Sequence, residues 1–282
     1  MLLILYFLLS FSMITSRDFI TFWVSIEFIS LLFFCLLLRT SVGEDFSSPM
    51  VYFITQSLSS IGLLFCYLFL CSSGAGLPGV FAFWAIKIGV FPLNFWYFFS
   101  MVNMKPIPLF LALTFQKLPR VFILQFIPTE FFRSRRCGIF VLLLLLTFIF
   151  TPMTTALTPS LLGLVLVSSI FNNVWIVLAY LRGPPILFLY FTLYTLTIYY
   201  LIKSSFSPFL FFTLIGLPPF PLFFLKVIIL FLTLNLSGLY PTLSLLMFLL
   251  LIGNAVILIL YFRFYSSRMM NSFKASFLYF HV

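Results

Sequence analysis

Gly79-Val-Phe-Ala-Phe-Trp-Ala-Ile-Lys87-Ile-Gly-Val-Phe-Pro92-Leu-Asn-Phe-Trp96-Tyr-Phe-Phe-Ser-Met101 is an apolar run with a lysine near its middle and a proline five residues further on. Crossing a bilayer takes about 20 predominantly apolar residues, and this run is long enough. Pro92 cannot donate to the carbonyl of Ile88 and its ring clashes there, so the helix kinks or opens beside Lys87. The rest of the chain has the same character. Of its 282 residues 63% are hydrophobic and 7% charged, with 43 Phe and a mean hydropathy of +1.25. Soluble domains carry about 25% charged residues. There is too little polar surface here for water, and no stretch is left for a soluble catalytic domain.

Reading apolar runs between polar or Gly/Pro punctuation predicts ten helices. They cover roughly 1–16, 19–38, 49–71, 79–101, 107–127, 137–151, 159–181, 184–202, 206–234 and 238–262. The short connections place successive helices side by side. The expectation is therefore an all-α, polytopic transmembrane helix bundle of about ten helices forming one domain over residues 1–282, with two helices discontinuous. Met1-Leu-Leu-Ile-Leu-Tyr-Phe begins an apolar helix at once, without a basic leader or cleavage site. That start predicts a chain inserted as it is made. Lys and Arg do not orient it: alternate connections carry five on one side (Arg17, Arg133, Arg135, Arg136, Arg182) and six on the other (Arg39, Lys105, Lys203, Arg263, Arg268, Lys274).

The scarcity of polar chemistry excludes whole classes of function. The single histidine, His281, stands next to the C-terminal residue, so no His-based triad, haem pair or zinc site fits the apolar core. Cys35, Cys66, Cys71 and Cys137 form no CxxC and no cluster, which argues against an iron–sulfur centre. No GxGxxG or Walker-type loop is present. The net charge of +10 is spread singly between or within apolar runs. It suits a lipid surface better than nucleic acid.

Four ionisable residues fall in the middle of apolar segments: Glu27, Lys87, Lys117 and Lys226. On the insertion scale each costs about 2.5–3.5 kcal/mol at the bilayer centre, and the four together ~10 kcal/mol. None lies near enough to a helix end to snorkel. A structural Glu27–Lys ion pair would account for one lysine and leave two without a partner. The ninth segment repeats the pattern of the fourth, as Gly216-Leu-Pro218-Pro219-Phe-Pro221-Leu-Phe-Phe-Leu-Lys226. Its three prolines free the carbonyls of Leu214, Ile215 and Leu217, and free carbonyls at bilayer depth survive only against protein or a watery cavity. Two interrupted helices, each with a lysine, point to a transport path between repeats. Gln56, Ser57, Ser59 and Ser60 in the third segment, Gln116 beside Lys117 with Pro119 and Arg120 just after, and Ser168, Ser169, Asn172 and Asn173 in the seventh are candidates for lining such a path. At helical spacing, such residues more often make interhelical hydrogen bonds.

With these residues in view, the chain resembles the mitochondrially encoded NADH dehydrogenase subunit 2 family, antiporter-like subunits in the membrane arm of respiratory complex I. Trp23-Val-Ser-Ile-Glu27 resembles that family's glutamate helix. Lys87 to Trp96 resembles its first broken helix, Thr114-Phe-Gln-Lys117 its central lysine helix, and Gly216 to Lys226 its second broken helix. The resemblance implies an inverted-repeat fold, shortened at its N-terminus and by one helix after Lys226, in the mitochondrial inner membrane with the N-terminus in the matrix. It implies proton translocation through Glu27, Lys87, Lys117 and Lys226. Pro92, Pro218, Pro219 and Pro221 would shape the broken helices, and Gln116 and Asn172 would support the path. Family members often carry histidine in the Ser-Ser-Ile helix. Ser168-Ser-Ile-Phe-Asn172-Asn-Val-Trp175 has asparagine there, so bound water would serve at that point.

No cofactor is expected on this chain. Flavin, iron–sulfur clusters and quinone would belong to partner subunits of complex I, including further antiporter-like subunits, with lipids such as cardiolipin around them and no nucleic acid. Two other readings use the same residues. A stand-alone cation/proton antiporter would need a carboxylate for the cation, and Glu27 is the only acid within a span. A purely structural scaffold would leave three central lysines without a purpose.

Overall fold

The computed structural model describes residues 2–40, 46–73, 76–90, 94–102, 104–127, 147, 161–203, 208–217, 220–237, 252–256, 258–259 and 261–263. Among these there is helix and turn but no strand. The predicted segment 137–151 apart from Thr147, most of 238–262, the basic tail, Cys137, His281, Pro92, Pro218 and Pro219 lie outside the described residues.

Among the described residues eleven α-helices run in order: α1 Leu2–Thr15, α2 Phe19–Thr40, α3 Ser47–Ser73, α4 Leu77–Ile88, α5 Phe95–Met101, α6 Pro106–Leu113, α7 Lys117–Phe122, α8 Leu161–Arg182, α9 Pro184–Lys203, α10 Pro208–Ile215 and α11 Pro221–Ser237. A 3-10 turn, Ile123–Phe126, extends α7. Prolines mark the starts. Pro106, Pro184, Pro208 and Pro221 each open a helix, and Pro78 stands in the first turn of α4. There the missing N–H costs nothing and the fixed φ is already helical.

Among the described residues five stretches are long and apolar enough to cross a membrane: Phe19–Thr40, Ser47–Leu70, Pro106–Phe126, Leu162–Arg182 and Pro184–Lys203. With the broken pairs between them, they form an all-α polytopic membrane bundle. Its centre is α8, whose span is 94% buried. Around it, α3 packs most extensively on α4, and α8 packs on α9 and α11. One cause of the close α3–α4 approach is Gly62, where a Cβ would collide with the ring of Phe83. Serine hydroxyls inside the spans mostly close on their own helix. Ser25 donates to Phe22 O at 2.6 Å, Ser59 to Gln56 O at 2.8 Å and Ser168 to Val165 O at 2.8 Å. Such bonds satisfy the hydroxyl where no water is at hand.

Candidate functional site

Each of the three central lysines stands at an interruption of helical backbone, and each interruption has its own construction. Helix α4 ends at Ile88 because Gly89 takes φ +78°, a left-handed conformation that glycine adopts without steric cost. The Gly89 N–H donates to Ala85 O and Ile86 O at 3.0 and 3.2 Å, and the Val90 N–H donates to Ala85 O at 3.0 Å. The indole of Trp96 returns to Ile86 O at 3.0 Å, and the Asn173 amide of α8 reaches Ile88 O at 3.3 Å. The terminal carbonyls of α4 are thus capped from three elements. Lys87 lies in that last turn, at the negative end of the helix, where a cation is favoured.

The second interruption lies inside a run that the sequence predicts as one continuous helix over 107–127. Helix α6 stops at Leu113 and α7 starts at Lys117. Between them the Gln116 N–H donates to Leu111 O at 3.0 Å, five residues back, and the Thr114 hydroxyl donates to Phe110 O at 2.6 Å. This is a widened, π-type turn, a feature that recurs at functional sites. It makes Lys117 the first residue of a short helix instead of the middle of a long one. Its ammonium donates to the Tyr194 hydroxyl at 2.7 Å and to Ser169 O at 2.9 Å, and lies 4.3 Å from the centroid of the Tyr194 ring.

The third interruption separates α10 from α11. Gly216 takes φ +78°, and its N–H donates to Phe212 O and Thr213 O at 3.2 and 3.1 Å. Lys226, on the second turn of α11, folds back so that its ammonium donates to Ile215 O at 2.6 Å. It therefore supplies the donor for the carbonyl that Pro219 cannot reach. The side chain passes so close to Gly216 that an added Cβ would lie 3.2 Å from Lys226 Cδ. Asn254 Oδ1 lies at 3.5 Å, and the fully buried Trp175 ring has the ammonium 5.3 Å from its centroid.

Lys87, Lys117 and Lys226 are all buried, at 2, 2 and 3% exposure. Glu27, half-buried on α2, has Lys87 as the charge that acts on it, and its Oε1 is buried without a hydrogen-bond partner. From Lys117 a hydroxyl chain continues through Tyr194, whose OH donates to Ser169 Oγ at 3.3 Å. It passes on to Tyr97, whose OH lies 2.9 Å from the same Oγ. Tyr97 belongs to α5, just beyond the break that follows Lys87. Hydroxyls both give and accept protons, so this chain joins the second lysine to the edge of the first interruption. Among the described residues no three His, Cys, Asp or Glu side chains come together in a metal-binding group.

No protein-family model matches the chain. A curated relative, NADH-ubiquinone oxidoreductase chain 2 of Albinaria caerulea, is 30% identical in an alignment of 237 positions that covers 76% of this chain and 71% of the relative. The chain belongs to the NADH-ubiquinone oxidoreductase chain 2 family.

Several site residues of this chain 2 family member were named from sequence, and they fall in different settings. Gln116 is buried, with Nε2 unpartnered, and lines a cavity beside Lys87. Asn172 is buried and locked, donating to Ser168 O at 2.9 Å and accepting from Tyr190 OH at 2.8 Å. It has no direct bond to a lysine. Pro221 opens α11 on its exposed side. Tyr194 escaped the sequence reading, having no signal beyond its helical position. Ser169, a path candidate from sequence, is the hydroxyl between Tyr194 and Tyr97. Arg120, one helical turn after Lys117 in the apolar segment 107–127, is buried at 3% exposure.

Proposed function

We propose that this chain is a proton-translocating membrane-arm subunit of respiratory complex I in the mitochondrial inner membrane, coupling electron transfer in partner subunits to proton movement. The redox groups belong to those partners; this chain contributes ionisable side chains held at helix breaks. The observation that carries the reading is that all three buried lysines lie at backbone interruptions. A charge there exchanges contacts with carbonyls and hydroxyls, and no whole helix need move.

Glu27 acts on Lys87, because an opposite charge nearby favours the ammonium form. Weakening that pair releases the Lys87 proton towards Lys117. From there the Tyr194–Ser169–Tyr97 hydroxyls and bound water offer the connecting groups, and Lys226 exchanges with the far side. Moving a unit charge across the membrane takes about 2.3 kcal/mol per 100 mV. Burial acts on a lysine's charge with several kcal/mol, so the lysines hold enough leverage for the step.

The test measures NADH oxidation and proton uptake in sealed vesicles, per assembled complex. Glu27→Gln should assemble nearly normally and lower the protons moved per NADH. An assembled Glu27→Gln variant with unchanged rate and unchanged ratio would exclude the switch. Mass measurement of the solubilised protein separates the stand-alone antiporter, which runs as a lone chain, from the complex I subunit, which runs within a large particle.

A further inference from the structure

Between α2, α3, α4 and α7 lies a small, partly open cavity. Its polar lining is Ser30, Gln56, Lys87, Gln116 and Arg120. The hydrogen-bond balance of this cavity is one-sided. Arg120 NH1 and NH2, Gln56 Nε2 and Gln116 Nε2 are all buried, and none makes a hydrogen bond of good geometry. The hydroxyls of Tyr52 and Tyr6 lie beside the Arg120 guanidinium and the Gln116 amide, and as neutral groups they bring no counter-charge. A guanidinium and an ammonium are donors only, and arginine does not lose its charge in proteins. One face of Arg120 is covered by the Trp96 ring, 5.6 Å from the guanidinium carbon to the centroid, so its free N–H groups are left for the cavity.

What neutralises the cation must be small. Arg120 is buried by this chain's own helices, so a carboxylate from a neighbouring subunit cannot reach it. Among the described residues no acid is fully buried, and the half-buried Glu27 acts on Lys87. The cavity has room for one body of water or halide size. A water brings two acceptor sites but no charge, and it leaves the permanent cation uncompensated in a low-dielectric interior, the costly arrangement for a buried ion.

We propose that this cavity binds a small monovalent inorganic anion of halide size, with Arg120 as the charged anchor and the amides of Gln56 and Gln116 as orienting donors. The anion neutralises Arg120 in the cavity that Lys87 also lines. It is a structural counter-charge and takes no part in any transfer, so the site stands independently of the proton-pumping reading.

The test uses the intact membrane assembly and no activity readout. Equilibrium dialysis with isotopically labelled chloride should show one more equivalent retained per wild-type chain than per Arg120→Gln chain. Diffraction at the bromine edge, with bromide replacing chloride, should place an anomalous peak beside the guanidinium. Should Arg120→Gln fail to assemble, Gln116→Leu keeps the cation, removes one donor and should retain chloride at least several-fold more weakly. Equal chloride retention by wild type and Arg120→Gln, unchanged affinity in Gln116→Leu, or a cavity without a bromide peak would each overturn the proposal.

Discussion

Lys87 and Lys203 are the same residue type in opposite surroundings. Lys87 is buried in the last turn of α4, whereas Lys203 is exposed at the end of α9 with its ammonium 5.9 Å from the Tyr199 ring centroid. Lys87→Met should therefore abolish most proton-coupled turnover while Lys203→Met changes it little, each normalised to assembled complex. Equal losses would remove position as the explanation. Glu27→Asp should be milder than Glu27→Gln, since it keeps the charge and draws it back by one methylene. At this scale the sequence was informative wherever a charge interrupted an apolar run, because the cost of burying it demands a reason. Glu27, Lys87, Lys117 and Lys226 were legible on that ground. Arg120 was legible by the same rule, as a further charge one turn after Lys117. The Tyr194 partner of Lys117 was illegible, since pairing two residues 77 positions apart requires knowing how α7 and α9 pack.

Among elements, the two glycine breaks resemble each other in φ and differ in what surrounds them. At Gly89 an added Cβ would find ordinary contacts from 3.6 Å outward; at Gly216 it meets the Lys226 side chain at 3.2 Å. Alanine at either site forces a left-handed residue, a cost of about 1–2 kcal/mol. Gly216→Ala should also dislodge Lys226 from Ile215 O, so both thermal stability and coupled turnover should fall further in Gly216→Ala than in Gly89→Ala. Proton-to-electron ratios in vesicles compare them directly. Across α7 and α9, Tyr194→Phe leaves the Lys117 ammonium with Ser169 O alone. A hydrogen bond to a charged group contributes about 1.5–3 kcal/mol, so this variant should slow coupled turnover about tenfold or more, while Tyr200→Phe, on the exposed face of the same helix, should not. Prolines and glycines made the fourth and ninth segments readable as broken. The break at Thr114–Gln116 carries neither residue type at its turn, and a π-type hydrogen bond leaves no mark in apolar periodicity, so that helix read as continuous.

For the whole molecule, the outward faces are as apolar as the core. Phe11, Ile20, Leu58, Phe69 and Phe231 are all more than 60% exposed, which in water would be an aggregating surface and in a bilayer is the expected contact with acyl chains or neighbouring subunits. Leu58 lies near the middle of α3, at 62% exposure. Leu58→Arg should disfavour insertion by about 2.5–3.5 kcal/mol, read as the fraction of chain integrated in a membrane-insertion assay, while Leu58→Phe integrates normally. The all-α class followed from composition and run length alone. Which helix occupies the centre did not, because α8 and its neighbours are similarly apolar and only packing tells them apart.

Four tryptophans occupy four electrically different places. Three indoles donate to main-chain carbonyls of Ser60, Arg120 and Ile86, and the fourth, Trp175, leaves its N–H unpartnered beneath the Lys226 ammonium. A chain synthesised with fluorinated tryptophan would therefore carry four distinguishable nuclear-magnetic-resonance labels without altering a single codon. The Trp175 ring lies 5.3 Å from the Lys226 ammonium, so following its resonance during turnover would test whether that lysine changes charge, each lysine state read from its own spectral line.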